Sequence, residues 1–121
     1  MKIHESAENY LESILVLQNS KGAVRSIDVA QHLGFSKPSV SRAVGLLREN
    51  GYITVDENGH LNLTESGRKI AESIYERHEL LTGWLMQLGV AEEIASEDAC
   101  RMEHVLSPET FEALKKHFGN E

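Results

Sequence analysis

Residues 26–50 read SIDVAQHLGFSKPSVSRAVGLLREN, and the stretch divides at Gly34. Before the glycine, Ser26 predicts the cap of a short helix, Ile27–Leu33, with Val29, Ala30 and Leu33 on its apolar side. Gly34-Phe35 then predicts a tight turn. Ser36 caps a second helix, and Pro38 falls in its first turn, where a missing N–H costs nothing. Val40, Val44 and Leu47 recur at i, i+4 and i+7 as an inward face, and Asn50-Gly51 predicts the stop. A short helix, a glycine turn and a helix with a polar leading edge make a helix–turn–helix. Such a unit lays the start of its second helix against base edges in the major groove of DNA.

The flanking sequence fits this reading. Tyr52–Val55 and His60–Leu63 are β-prone, and Asp56-Glu57-Asn58-Gly59 between them carries the Asn-Gly hairpin signal. A hairpin directly after a helix–turn–helix is the wing of a winged helix. Upstream, Ser6–Asn19 predicts a helix with Tyr10, Leu11, Ile14, Leu15 and Leu17 as a broad apolar stripe, ended by Lys21-Gly22. Downstream, Thr64 opens a helix reaching about Leu88 and closed by Gly89, with Ile70, Ile74, Leu81, Leu85 and Leu88 as its stripe. Val90–Leu106 reads as helical with a break near Ser96, and Ser107-Pro108 starts a last helix carrying Phe111, Leu114 and Phe118. The expected fold is mainly α: a winged helix-turn-helix DNA-binding domain over residues 1–70 and a helical domain over 71–121.

Composition narrows the function. The chain has 121 residues, 40% hydrophobic and 26% charged, with a formal net charge of −7. An acidic protein is a poor candidate for nucleic-acid binding on charge alone. The charge is unevenly spread, however. Residues 21–69 hold seven Lys and Arg against five Asp and Glu, a local +2, and the rest carries five against fourteen, or −9. The basic middle coincides with the winged helix. Arg25, Ser26, Ser36, Lys37, Pro38, Ser39, Ser41, Arg42 and Arg48 are the candidate DNA contacts. The small hydroxyl residues allow close approach, Lys37 suits a phosphate, and Arg42 suits a guanine edge. So modest a charge favours a homodimer spanning two half-sites of a palindromic operator. No apolar run approaches the roughly 20 residues of a membrane span. Met1–Glu5 turns polar at once, unlike a signal peptide, and one cysteine suits a reducing, cytoplasmic setting.

The acidic ends contain a second pattern. Cys100, Glu103 and His104 stand at i, i+3 and i+4, which on a helix puts a thiolate, a carboxylate and an imidazole on one face. That donor mixture suits a transition metal. His78, Glu12 and Asn9 are further candidate donors on other helices. Alternatives remain at this point. A lone cysteine is commonly a small core residue. His78-Glu79 resembles the start of a His-Glu-x-x-His zinc-enzyme motif, but position 82 is Thr, and neither a phosphate loop nor a nucleophile elbow occurs, so an enzyme is not expected. A protein-interaction module and a metal-independent winged-helix regulator are the other readings.

Four segments together resemble the diphtheria toxin repressor family: Glu8-Asn9-Tyr10-Leu11-Glu12, the winged helix, Arg77-His78-Glu79-Leu80-Leu81, and Asp98–Ser107 with its Cys-Arg-x-Glu-His-Val run. The run is similar to that of the iron-dependent branch. The length is similar to the two-domain manganese transport regulator branch, without a third domain. The resemblance implies a metal-dependent regulator of metal-homeostasis genes, in which Fe²⁺ or Mn²⁺ is co-repressor and Zn²⁺, Co²⁺ or Ni²⁺ can substitute. It implies Cys100, Glu103 and His104 as metal ligands, Glu12 and His78 as ligands at a second position, and Asn9 where the family has Met or Asp. It implies dimerisation through the last helices, with Phe111, Leu114 and Phe118 as apolar contacts. Thr82 and Ser96 replace the Glu and His of the iron branch's ancillary site. Cys100 replaces the carboxylate of the manganese branch and shifts preference toward softer ions.

Overall fold

A computed structural model describes residues 5–119, so residues 1–4 of the expected non-signal start lie outside the described residues. The elements in order are α1 (Glu5–Lys21), α2 (Ser26–Leu33), α3 (Lys37–Glu49), β1 (Ile53–Val55), β2 (Leu61–Leu63), α4 (Glu65–Gln87), α5 (Glu92–Met102) and α6 (Pro108–Gly119). The chain forms two compact units, 1–72 and 73–121, and α4 contributes residues to both.

In the first unit, α1 packs on α2, α3 and β2, and α3 packs on α2 and β1. Leu11, Ile14, Val24, Val29, Val40, Leu47, Ile53 and Leu61 are buried there. Burial of each large apolar side chain is worth roughly 1.5–3 kcal/mol, which anchors the short α2 and the small wing. The apolar periodicity of α1, α2 and α3 thus selects the faces that meet.

The expected caps hold in one case and move in the other. Ser36 precedes α3 in extended conformation, and its Oγ accepts the Ser39 N–H at 3.3 Å. Ser26, by contrast, is the first residue of α2, and Arg25 occupies the N-cap position. The Asp28 carboxylate takes over the capping bond by accepting the Arg25 backbone N–H at 2.8 Å, and it also receives Lys21 Nζ at 2.6 Å. An Asp in the first turn reaches back to an otherwise unsatisfied donor more readily than Ser26 can from inside the helix.

The wing pairs Ile53 with Leu63, Thr54 with Asn62 and Val55 with Leu61, antiparallel, in strands shorter than the β-prone runs. The hairpin expected from Asn-Gly forms, with residues 56–60 as its loop. Only glycines among the described residues take positive φ, with Gly59 at 80°, so Asn58 does not supply the second such residue that a type I′ turn requires. Asp56 organises the loop instead, accepting the Asn58 and His60 N–H groups, each at 2.9 Å. The His60 backbone bond, with smaller help from the Asn58 bond and the His60 side chain, holds the Asp56 carboxyl below its usual range.

The start of α4 is fastened to the base of the wing. Thr64 Oγ1 donates to the Gly51 carbonyl at 2.7 Å and accepts the Gly67 N–H at 3.2 Å. The Thr64 N–H bonds the Tyr52 carbonyl at 3.0 Å. A Cβ on Gly67 would lie 2.0 Å from the Tyr52 oxygen, so glycine is required by close approach rather than by its dihedrals.

In the second unit, Leu81, Trp84, Ala99 and Phe111 form the core, with Leu80, Met102, Leu106, Leu114 and Phe118 packed against it. Trp84 stacks on Phe118 with centroids 5.2 Å apart and meets Phe111 at 5.7 Å. Three sequence expectations change here. Leu88 is 68% exposed, and Trp84 rather than Leu88 completes the buried stripe of α4. The α5 helix is unbroken at Ser96 and ends at Met102 rather than Leu106. Phe111, Leu114 and Phe118 face their own unit's core, drawn there by the indole of Trp84.

Two outcomes follow. Gly→Ala inside a helix ordinarily stabilises by about 1 kcal/mol. Gly67→Ala is expected to destabilise by about 1–3 kcal/mol through overpacking on Tyr52, a sign reversal that urea denaturation reads directly. Asp28 is held below its ordinary pKa of 3.8 first by Lys21 and then by the Arg25 N–H. A carboxylate lowered on folding stabilises above its unfolded pKa, and that contribution disappears as pH falls through the folded value. Asp28→Asn should therefore melt lower than the unaltered chain at neutral pH and converge with it on acidification. Parallel melting curves at all pH values would refute this.

Candidate metal centre and nucleic-acid interface

The geometry of the second unit converges on Glu103. Its side chain has 0% exposure. Oε1 lies 2.8 Å from His78 Nδ1, and Oε2 lies 3.5 Å from His104 Nε2. The His104 side chain is itself 3% exposed, that of His78 27%. An ionised carboxylate only accepts, so against it His78 Nδ1 is the donor. Moving an ionised carboxylate out of water is costly without paired charge or hydrogen bonds. Two imidazoles and one buried carboxylate form a nitrogen–oxygen donor set that fits a divalent first-row transition metal.

The local chain explains how the donors meet. Glu103, the residue after α5, keeps helical dihedrals, φ −58° and ψ −26°, and its N–H still bonds the Ala99 carbonyl at 2.9 Å. His104 follows in the turn after α5. Ala95 and Ala99 are fully buried, and their small side chains let α5 approach its neighbours closely. His78 comes from α4. Cys100, near the end of α5, is exposed, whereas Glu103 and the His104 side chain are buried. Thr82 donates its hydroxyl to the His78 carbonyl at 2.7 Å. In the first unit, Glu12 is buried at 9% exposure, and Asn9 is half-buried with its carbonyl accepting Ser13 Oγ at 2.8 Å.

The first unit presents the candidate DNA surface. Lys37, Pro38, Ser39, Ser41, Arg42 and Arg48 are exposed on α3, as is Arg25 before α2, while Ser26 is half-buried. A recess of about 200 Å³ is lined by Ser26, Ile27, Lys37 and Ser41, joining the starts of α2 and α3. Ser36 Oγ is engaged with the backbone and hydroxyl of Ser39, which makes it a cap first. Leu46, 57% exposed on the same helix, escaped the sequence reading because it adjoins the buried Leu47.

Residues 2–61 match the N-terminal DNA-binding domain of the iron-dependent repressors, and residues 64–120 match their metal-binding and dimerisation domain. The transcriptional regulator MntR of Escherichia coli is 37% identical over 111 residues, covering 92% of this chain and 72% of that protein. The chain belongs to the diphtheria toxin repressor family. This is a family of metal-dependent transcriptional regulators, not an enzyme class. MntR of Geobacillus kaustophilus is 38% identical over 102 residues, 84% of this chain and 72% of that one. Among solved structures, a manganese-dependent transcriptional repressor in complex with manganese has 30% identity and TM-score 0.84, covering 93% of this chain and 52% of its own. The manganese regulator SloR has 27% identity and TM-score 0.83, covering 100% and 56%. The chain thus spans about half the length of these solved relatives. The family's metal-binding domain makes a divalent transition metal the matching cofactor. Among the described residues no helix is long and apolar enough to cross a membrane.

His78, Glu103 and His104, singled out in the sequence, lie together, and Arg77, which the sequence did not single out, donates to the Glu103 carbonyl at 3.0 Å. The donor set makes a direct prediction. Saturation with Mn²⁺ or Co²⁺ at a hundred times Kd stabilises a folded protein by about 2.7 kcal/mol. The unaltered chain should melt several degrees higher with either ion, and Glu103→Gln should lose that rise. An equal rise in both would remove Glu103 from the ligand set.

Proposed function

We propose that the chain is a metal-dependent repressor of metal-ion homeostasis genes, acting in the cytoplasm without catalysis as a homodimer on a palindromic operator. The observation that carries the reading is the fully buried Glu103 between His78 and His104, in a chain whose other unit is a winged helix. The manganese regulator and the manganese-dependent repressor among the solved relatives support Mn²⁺, and the Cys-Arg-x-Glu-His run supports Fe²⁺ as the alternative ion. His78, Glu103 and His104 would hold the metal, with Cys100 and, as the family resemblance implies, Glu12 and Asn9 adding donors.

On the DNA side, Arg42 is assigned to a base edge, and Lys37, Arg25 and Arg48 to phosphates. Pro38, Ser39 and Ser41 allow close approach, Ser26 lines the recess beside Lys37 and Ser41, and Ser36 caps α3. Phe111, Leu114 and Phe118 support the dimer from behind, as core residues. The exposed Met86, Leu88, Ile94 and Val105 are the apolar side chains of that unit available to a second copy. Coupling between metal occupancy and DNA binding is reciprocal: metal that raises DNA affinity is itself held more tightly on DNA.

Fluorescence anisotropy with operator DNA selected from a random pool, under anaerobic conditions, tests the reading. Affinity should rise at least tenfold with Mn²⁺ or Fe²⁺ over chelator, and the gain should vanish in Glu103→Gln. Equal affinity under chelator and every metal would support a metal-independent winged-helix regulator instead.

A further inference from the structure

We propose that Arg77 is a positioning residue for the metal centre, fixing the turn that carries Glu103 and His104 before any metal arrives. The proposal rests on the metal-site reading above.

The last carbonyls of a helix lack partners within it, and a left-handed glycine after the helix commonly satisfies them. After α5 the chain runs Glu103-His104-Val105-Leu106-Ser107-Pro108, without glycine, and no described residue there takes positive φ. The turn closes partly on itself: the Val105 and Leu106 N–H groups both bond the Met102 carbonyl, at 3.1 and 3.2 Å. Arg77 adds two bonds to carbonyls past the last helical residue. Its Nη1 donates to the Glu103 carbonyl at 3.0 Å and to the Leu106 carbonyl at 2.8 Å. These two acceptors bracket the turn. The guanidinium also lies over the buried Phe111 ring, 5.0 Å from its centroid. A cation at a helix C-terminus is favoured by the helix dipole, and its stacking on an aromatic face limits its freedom.

The placement is specific to the candidate ligand. Arg77 and His78 are adjacent on α4, and both engage Glu103: Arg77 holds the backbone carbonyl while His78 Nδ1 meets the carboxylate. Glu103 is therefore oriented at two points by the protein itself. Without the Arg77 bonds, two carbonyls of the turn need other partners, and the cheapest remedy is rotation of the turn toward water. Partners that orient a ligand without touching the metal typically matter 10–100-fold in affinity.

The test compares the full-length chain with Arg77→Met, which keeps the aliphatic stem but has no donor, and Arg77→Lys, which restores a cation with donor hydrogens. Amide hydrogen exchange on metal-free protein and Co²⁺ titration by visible absorption are read together. Arg77→Met should exchange Val105 and Leu106 amides faster while the amides around Leu81 and Trp84 keep their protection. It should bind Co²⁺ at least tenfold more weakly, with an altered absorption band, and Arg77→Lys should recover part of both. Wild-type affinity and spectrum in Arg77→Met would overturn the proposal alone. So would uniform loss of protection across the unit, since Arg77 would then be a general stabiliser. Failure of the unaltered chain to take up Co²⁺ would overturn the metal reading and this proposal with it.

Discussion

A carboxylate that has lost all contact with water is the constraint that organises the C-terminal unit. Glu103 sits at the end of α5, where the helix dipole already disfavours negative charge. Both effects act against an ionised group there, and a core leucine would pack the same space at less cost. The arrangement is intelligible only if the carboxylate works with its neighbours. Those neighbours are two imidazoles on its two oxygens and a guanidinium on its backbone. Trp84, Phe111 and Phe118 then form the apolar mass that keeps α4 and α6 together.

The N-terminal unit follows a different economy. Its function needs an accessible edge, so its polar groups are exposed and its organising bonds are short-range. Asp28 closes the start of α2, Ser36 the start of α3, Asp56 the wing turn and Thr64 the start of α4. Each satisfies backbone groups that helix and strand ends leave open. The cations of α3 are thereby left to solvent and partners. The net charge of −7 thus misleads as a global quantity, because the residues that would meet phosphate occupy a segment of opposite sign.

These two modes explain what the sequence made legible. Helix–turn–helix, wing and α4 start are marked by local chemistry: Gly34, Ser36-Lys37-Pro38, Asn58-Gly59 and Thr64 sit at their own boundaries. Periodicity located the buried faces of α1 and α3 for the same reason. It did not say what a face is buried against. Phe111, Leu114 and Phe118 form a convincing apolar stripe, and the stripe meets Trp84 of the same unit. The end of α5 was overrun because Glu103 keeps helical dihedrals past the last helical residue. Arg77 and Gly67 were silent because one bonds distant backbone and the other yields space to distant backbone, and neither contact has a spacing in sequence.

The same distinction bears on the choice of metal. Reading the sequence as one helical face placed Cys100 beside Glu103 and His104 and weighted the site toward softer ions. The buried donors are instead nitrogen and oxygen, and Cys100 is exposed. A nitrogen–oxygen set accommodates Mn²⁺ as well as Fe²⁺, whereas a thiolate favours softer partners. Cys100 is the only thiol in the chain, so any sulfur contribution to selectivity depends on this residue. With hard and borderline donors fixed in the interior and the soft donor at the surface, the two candidate ions differ in what they would require of the protein. An ion held by nitrogen and oxygen alone needs no thiolate, while one selected through sulfur needs Cys100 among its ligands.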